Sequence, residues 1–338
     1  MKKRVILFLA LLFMIFSVYA FSQTKPITFD DFIRIKRVSD PQISPSGELI
    51  AFVITEMDKA RNTSNSDIWV IPAAGGQAWR LTSNPKADFN PRWAPDGKKI
   101  AFISTRGGTP QVWMIDPKGG EAYQLTSISS GASGVIWSPA GKHLAFTSSV
   151  YPDCPDDECN KEREKKKEES PVKAQVFEGL LFRHWNSWTE GKRSHLFVVA
   201  SEGGKTIDIT PGDFDTPPIS LGSSQDYVFS PDGKNICFVR NIDPEFKLSL
   251  GTNNDLFLTS PQGGEIIQLT KNKANDNSPR YSPDGRFIAY RAMSRPGFEA
   301  DKYNLIVYDQ KNQEMTNLTE KADLSVNEML WSVDSSSV

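Results

Sequence analysis

The sequence predicts an all-β protein, an incomplete β-propeller of four-stranded blades that follows an N-terminal signal peptide. Three observations carry this. A Ser-Pro-Asp-Gly-like tetrad followed by a short apolar strand recurs five times, with its glycines at 47, 97, 141, 233 and 285. A second pattern interleaves with the first: an apolar strand leads to Gly-Gly, and the strand after it ends in Leu-Thr or Ile-Thr. The glycine gaps are 50, 44, 92 and 52 residues, and all but the third match the span of one propeller blade. The Asp-Gly and Gly-Gly pairs supply the positive φ that tight hairpin turns require. A β-sandwich of short strands has no reason to repeat its own turns in this way.

Taken in order, the chain opens with Lys2-Lys3-Arg4 and an uncharged apolar run from Val5 to Ala20. The run is shorter than the ~20 residues that span a bilayer, and small residues close it. Residues 1–22 therefore read as a secretory signal cleaved after Ser22, with no stable membrane anchor left after cleavage and a periplasmic or secreted destination. No Cys follows the run, so a lipoprotein is not indicated. Residues 23–39 form a lead-in in which Thr28 and Asp31 are a capping pair for one short helix. The propeller is expected over 40–338. Its repeated strand, Ile100-Ala101-Phe102 and its equivalents, is apolar on both faces, which suits a blade held between two neighbours. The small central residue lets adjacent blades approach closely. Cys237 takes that place in the fourth unit and is expected to be buried and inert.

The third unit is too long, and the excess lies at about 149–193. It begins with a run rich in charge, from Asp153 to Glu169, expected to be a solvated loop or short helix. Cys154 and Cys159 within it could bridge a small loop in an oxidising compartment. An aromatic stretch follows, Arg183-His184-Trp185-Asn186-Ser187-Trp188. That mixture could stack on a ligand, plug a seam between blades or dock another domain. After Thr319 a sixth unit starts, with Trp331 matching Tyr281, Asp334 matching Asp284 and Val338 matching Ile288. A propeller that stops there leaves unpaired sheet edges, so the chain is expected to be the N-terminal part of a longer protein.

Composition excludes several functions. With 39 basic and 41 acidic residues the net charge is −2, which gives no broad positive field for nucleic acid. Three Cys and three His show no zinc-ligand spacing, so neither metal nor other cofactor is expected.

Tandem Ser-Pro-Asp-Gly units after a signal peptide resemble TolB-like propellers. The segment Leu181-Phe182-Arg183-His184-Trp185-Asn186-Ser187-Trp188, continued by Gly191-Lys192-Arg193-Ser194-His195-Leu196-Phe197, points more narrowly. It resembles the prolyl oligopeptidase family of serine peptidases, in the acylaminoacyl-peptidase and dipeptidyl-peptidase V branch. The Asp-Cys…Cys-Asn stretch and the start Phe29-Asp30-Asp31-Phe32 through Ser44-Pro45 are similar to that branch too. Asn186 departs from it, where Asp is expected. The resemblance implies a propeller capping a C-terminal α/β-hydrolase domain whose serine sits on a Gly-x-Ser-x-Gly elbow. The chain contains no such motif, so no catalytic residue carries over and the chain alone should be inactive. His143 and His195 fall at variable repeat positions, and His184 lies in the insertion.

The implied activity is release of dipeptides or acyl-amino acids from short peptides by an exported serine exopeptidase, the propeller acting as a substrate-gating lid. Its partners would be those peptides and the missing hydrolase domain. Glu178 and Glu190 are candidates to anchor a substrate ammonium group. Arg183, His184, Trp185 and Trp188 are candidates for substrate binding or for facing the other domain. The alternative is a TolB-like periplasmic propeller that binds a protein partner. TolB-like proteins carry an α/β domain before the propeller, and here only a short lead-in precedes the first blade.

Overall fold

Short apolar strands punctuated by Pro, Asp and Gly can satisfy their backbone only by pairing with their sequence neighbours, and the computed structural model of the protein shows this five times over. It describes residues 25–180, 182–219, 226–244, 247 and 249–338, so the signal read over residues 1–22 lies outside the described residues. The capped lead-in helix is α1 (Phe29–Arg34), with Thr28 and Asp31 exchanging backbone and side-chain hydrogen bonds as a capping box.

The first blade consists of β1 (Arg37–Ile43), β2 (Leu49–Asp58), β3 (Thr63–Pro72) and β4 (Trp79–Arg80). The second has β5 (Asp88–Trp93), β6 (Ile100–Ser104), β7 (Gln111–Ile115) and β8 (Tyr123–Gln124). In the third, β9 (Ser133–Trp137) and β10 (His143–Val150) are separated from β13 (Arg193–Ala200) and β14 (Ile207–Asp208) by α2 (Asp157–Glu169) and a small hairpin. That hairpin is β11 (Arg183–His184) with β12 (Ser187–Trp188). The fourth blade is β15 (Tyr227–Phe229), β16 (Ile236–Arg240), β17 (Asp255–Thr259) and β18 (Ile267–Gln268), and the fifth is β19 (Asp276–Tyr281), β20 (Phe287–Ala292), β21 (Asn304–Asp309) and β22 (Glu314–Asn317). Every blade is an antiparallel four-stranded meander.

The repeated motifs explain the meander. In the Ser-Pro-x-Gly turn, the serine hydroxyl accepts the amide that starts the next strand, as Ser138 does from His143 at 3.0 Å and Ser282 from Phe287 at 2.9 Å. The threonine of Leu-Thr does the same at the end of the outer strand. Thr82, Thr126, Thr210, Thr270 and Thr319 each accept a third-strand amide through Oγ1, at 2.8–3.0 Å. In each blade the pairing of the outer strand ends one residue short of that amide, so the side chain supplies the missing partner.

The core lies between blades. Four apolar clusters fill the four seams from the first blade to the fifth, and each draws on both neighbours. Ala51, Ala101, Ala145, Cys237 and Ala289 are fully buried at the centre of each second strand. Phe102, Phe146 and Phe238 follow them, each contributing about 2–3 kcal/mol by burial. Burial pushes the Cys237 thiol pKa far up, so it stays protonated and unreactive.

Indole hydrogen bonds lock successive inner strands. Trp93 Nε1 donates to the Gln42 carbonyl at 2.9 Å, and Trp137 to that of Arg92 at 3.0 Å. Trp331 repeats the bond to Arg280 at 3.0 Å. Ser332 to Ser337 form the Ser-Pro-Asp-Gly type of turn without its glycine, Ser335 taking φ 61°. The start of a sixth unit is therefore docked on the fifth blade, with Met329, Trp331 and Val338 packed against Ala289 and Leu305. The first and fifth blades remain separate sheets among the described residues, an open and incomplete propeller.

Candidate functional site

In an up-and-down blade, the first and third turns share one face. The connections from second to third strand, and the links between blades, share the other. The insertion in the third blade emerges on that second face. β10 and β13 carry it on an unbroken ladder from His143↔Ala200 to Val150↔Arg193.

The charged run forms α2 and is anchored to the blade. Asp156 caps it by accepting from the Cys159 amide at 2.9 Å. The Asp157 carboxylate accepts from the Ser129 amide at 2.9 Å and its hydroxyl at 2.7 Å. Asn160 holds the Tyr151 amide at 2.8 Å, and the Tyr151 hydroxyl donates to Glu164 at 2.5 Å. Lys192 pairs with Glu164 at 2.7 Å. Burial pushes the Glu164 pKa up, but Lys192 and Tyr151 outweigh it and hold the carboxyl below its usual value. Cys154 and Cys159 are joined by a disulfide.

The aromatic stretch is the hairpin β11–β12, in which Arg183 pairs with Trp188 and His184 with Ser187. Trp185 takes φ 50° at its tip. Phe177, Phe182 and Trp188 stack together, with centroids 5.2–6.1 Å apart. Trp185 is 87% exposed and Trp188 51%. The hairpin is therefore not a plug between blades, because its largest rings point into solvent.

Three of the six candidates line two clefts. Glu178 and Glu190 line one of 650 Å³, together with Lys167, Phe177, Phe182 and Arg193. Glu178 is exposed there, whereas Glu190 is ion-paired to Lys167 at 2.6 Å. Trp188 lines a second cleft of 420 Å³ with Lys192, Ser194, Asp215 and Tyr227. Arg183, His184 and Trp185 border neither.

Sequence reasoning missed Asp215, which accepts the Ser194 amide at 2.8 Å and borders a third cleft of 340 Å³ with Asp213, Asp243 and Arg193. Burial pushes the Asp215 carboxyl pKa up, against the pull of that amide. Arg193 pairs with Asp213 at 2.8 Å. The available signal was the long Pro-rich link after Thr210, in place of the short one after Thr82. On the propeller axis, a funnel of 780 Å³ is bordered by Arg92, Trp137, Tyr227 and Arg280, with Arg92 held to Asp40 at 2.9 Å.

Comparison with known proteins agrees with the propeller fold. Residues 61–156 match the family described as the Tricorn protease N-terminal beta propeller domain. Dipeptidyl-peptidase 5 of Porphyromonas gingivalis is 28% identical over 325 residues, covering 92% of this chain and 45% of the relative. An uncharacterized peptidase of Bacillus subtilis, YuxL, is 31% identical over 281 residues, covering 82% of this chain and 33% of the relative. Among solved structures, the acylaminoacyl peptidase of Pyrococcus horikoshii aligns with a TM-score of 0.62 at 17% identity, over 88% of this chain and 41% of that one. The β-propeller domain of the Trilobed protease from Pyrococcus furiosus, described as having an open velcro topology, aligns at 0.52 and 15%, over 87% and 74%.

The fold is a β-propeller, and the curated relatives that the chain matches over most of its length are named as peptidases. More narrowly, the chain resembles the N-terminal propeller part of the prolyl oligopeptidase family, in the branch of dipeptidyl-peptidase V and acylaminoacyl-peptidase. It spans less than half the length of the dipeptidyl-peptidase 5 relatives it matches.

Proposed function

We propose that this chain is the gating propeller of an exported serine exopeptidase that releases dipeptides or acyl-amino acids from short peptides. The observation that carries this is the match to Dipeptidyl-peptidase 5 of P. gingivalis, whose 92% coverage of the chain cannot omit the whole insertion. In this reading, the face bearing α2 and the aromatic hairpin meets an α/β-hydrolase domain supplied by further polypeptide. Trp185, Trp188 and Arg183 are contact residues. Closure over a serine nucleophile excludes water and folded substrates. Glu178 is the better placed of the two acids to receive a peptide ammonium group, since Glu190 already neutralises Lys167. Export to the periplasm or medium rests on residues 1–22.

The test is a fluorophosphonate probe with dipeptidyl p-nitroanilides, applied to the 338-residue chain and to the intact gene product. The chain alone should neither label nor turn over substrate, while the intact product should do both and spare folded proteins. Labelling of the chain alone, or an intact product inert toward every short peptide, would defeat the proposal.

A further inference from the structure

Because the blades repeat, equivalent positions in successive blades serve as internal controls. The third-strand residue just before the amide bound by the closing threonine is Asp67, Gln111, His195, Asp255 and Asn304 in turn. Two residues before that threonine, on the outer strand, stand Arg80, Gln124, Asp208, Gln268 and Asn317. The first blade sets acid against base at these positions, Asp67 meeting Arg80 at 2.5 Å. The third blade reverses the pair. Its acid is on the outer strand, and the place of the base falls to His195.

His195 is 2% exposed, and both of its ring nitrogens have partners. Nδ1 meets Asp208 Oδ2 at 2.7 Å, and Nε2 meets the Gly212 carbonyl at 2.8 Å. A backbone carbonyl only accepts, and so does an ionised carboxylate. Two hydrogen bonds of this kind need two ring protons, whereas a neutral imidazole carries one. Both bonds are therefore made only by the imidazolium.

The surrounding charges agree with this. Arg240, buried in the same seam, donates to the Thr210 carbonyl at 2.7 Å and to Thr216 Oγ1 at 2.8 Å. Arg193 is matched by Asp213 at 2.8 Å. That leaves Asp208 and Asp215 as the acids for Arg240 and His195, two against two. Burial pushes the Asp215 carboxyl up, and the charges of Arg193 and His195 are among those that pull it down. On its other side His195 borders a cavity of 920 Å³ beside the start of α2. There Asp153, Asp156, Asp157 and Glu158 outnumber Lys205, so the field at the ring is negative from that side too.

The second blade shows the same place without a charge. Gln111 Nε2 donates to the Ile128 carbonyl at 2.6 Å, as His195 does to Gly212, and each acceptor lies two residues after the closing threonine. Four residues further on, the Ala132 amide donates to Pro110 at 2.8 Å and the Thr216 amide to Ser194 at 2.6 Å. The two links dock alike, one on an amide that does not titrate and the other on an imidazolium.

We infer that His195 is a proton-operated latch for the link from Pro211 to Pro218. With two ring protons it holds both Asp208 and the Gly212 carbonyl. With one it must release one of them, and a buried acceptor left without its donor is costly. The link carries Asp215 and Pro218, which border both the 340 Å³ and the 420 Å³ clefts beside the insertion. Loss of the second proton therefore loosens a wall that those clefts share, and ambient pH sets how firmly they are formed.

The test is ring-nitrogen NMR and amide hydrogen exchange on the 338-residue chain, between about pH 5 and about pH 9, either side of the ordinary imidazole range. His195 should show two protonated ring nitrogens at the acid end and one at the alkaline end. Over the same range the Thr216 amide should lose roughly tenfold more protection than its counterpart Ala132, the loss expected for one charge-assisted hydrogen bond. His195→Gln puts the residue of the second blade into the third. It keeps a donor for Gly212, and it should fold and remove the pH dependence at Thr216. A wild-type ring whose proton count is the same at both ends overturns the inference. So does a ring that titrates while Thr216 and Ala132 change in step, or a pH dependence at Thr216 that survives in His195→Gln. If that variant does not fold, the wild-type comparison of Thr216 with Ala132 decides alone.

Discussion

Asp255 in the fourth blade and Asp276 in the fifth make the seam between those blades sensitive to pH. Burial pushes the Asp276 carboxyl up to about 7 and that of Asp255 up to about 6. The donors Thr270, Asn272 and Gln268 and the charge of Lys273 pull down, while the charge of Asp255 raises Asp276 and that of Asp243 raises Asp255. Tyr290 is raised by burial and by the charge of both acids. An unfolded aspartate titrates near 3.9. The folded state therefore keeps protons that the unfolded chain has released. The stability this contributes is complete below about pH 4 and is lost as pH rises through about 6 and then about 7. Asp301 and Asp334, held down at about 2, act in the opposite sense, but their contribution is already complete above about pH 4. The wild type should thus lose roughly 2–4 kcal/mol relative to Asp276→Asn between pH 5 and pH 8. Urea unfolding at each pH measures this directly, and a constant gap between the two proteins would refute the assignment. Both acids were visible in the sequence. Their significance was not, because it depends on which residues oppose them two strands and one blade away.

At the scale of the element, the threonine that closes each blade explains a motif that sequence reading could use but not account for. Thr126 accepts the Val112 amide at 3.0 Å and donates to Gln111 Oε1 at 2.7 Å, and all three residues are buried. Thr126→Val keeps the shape but strips both groups of their partner, which should cost about 1–3 kcal/mol. Thr126→Ser keeps the hydroxyl and should cost much less. If denaturant unfolding finds valine as good as serine, the hydroxyl is not the reason for the motif. The same contrast runs through the insertion. Its composition allowed a loop or short helix, and the capping signal at Asp156 was local enough to be found. What fixes α2 in place was out of reach, because Ser129 lies 28 residues from Asp157 and Lys192 far along the chain from Glu164. The aromatic stretch was legible as chemistry but not as placement. Only the fold shows Trp185 in solvent and Glu190 already occupied by Lys167.

At the scale of the molecule, five blades were legible because each is defined by turns within about fifty residues of chain, and a repeat averages out errors that a single motif would not. The consequence for stability is that each blade draws its burial from two neighbours, and an interior blade has both. The central strands β6 and β16 are buried along their whole length, whereas β1 is mostly exposed and β22 wholly so. Stability in such an array is close to a sum of nearest-neighbour seams, so local opening should begin where a neighbour is lacking. Hydrogen exchange on the 338-residue chain should therefore find the slowest amides in β6 and β16 of the second and fourth blades. The fastest strand amides should lie in β1, β22 and the Trp331–Val338 segment, even though Trp331 is pinned by its indole bond to Arg280. Exchange at a uniform rate across all five blades would mean that they unfold as one body. Protection of β22 equal to that of β16 would mean that the outer face of the fifth blade is covered by more than the start of a sixth unit. Either result would remove the ground for treating the seams as separable.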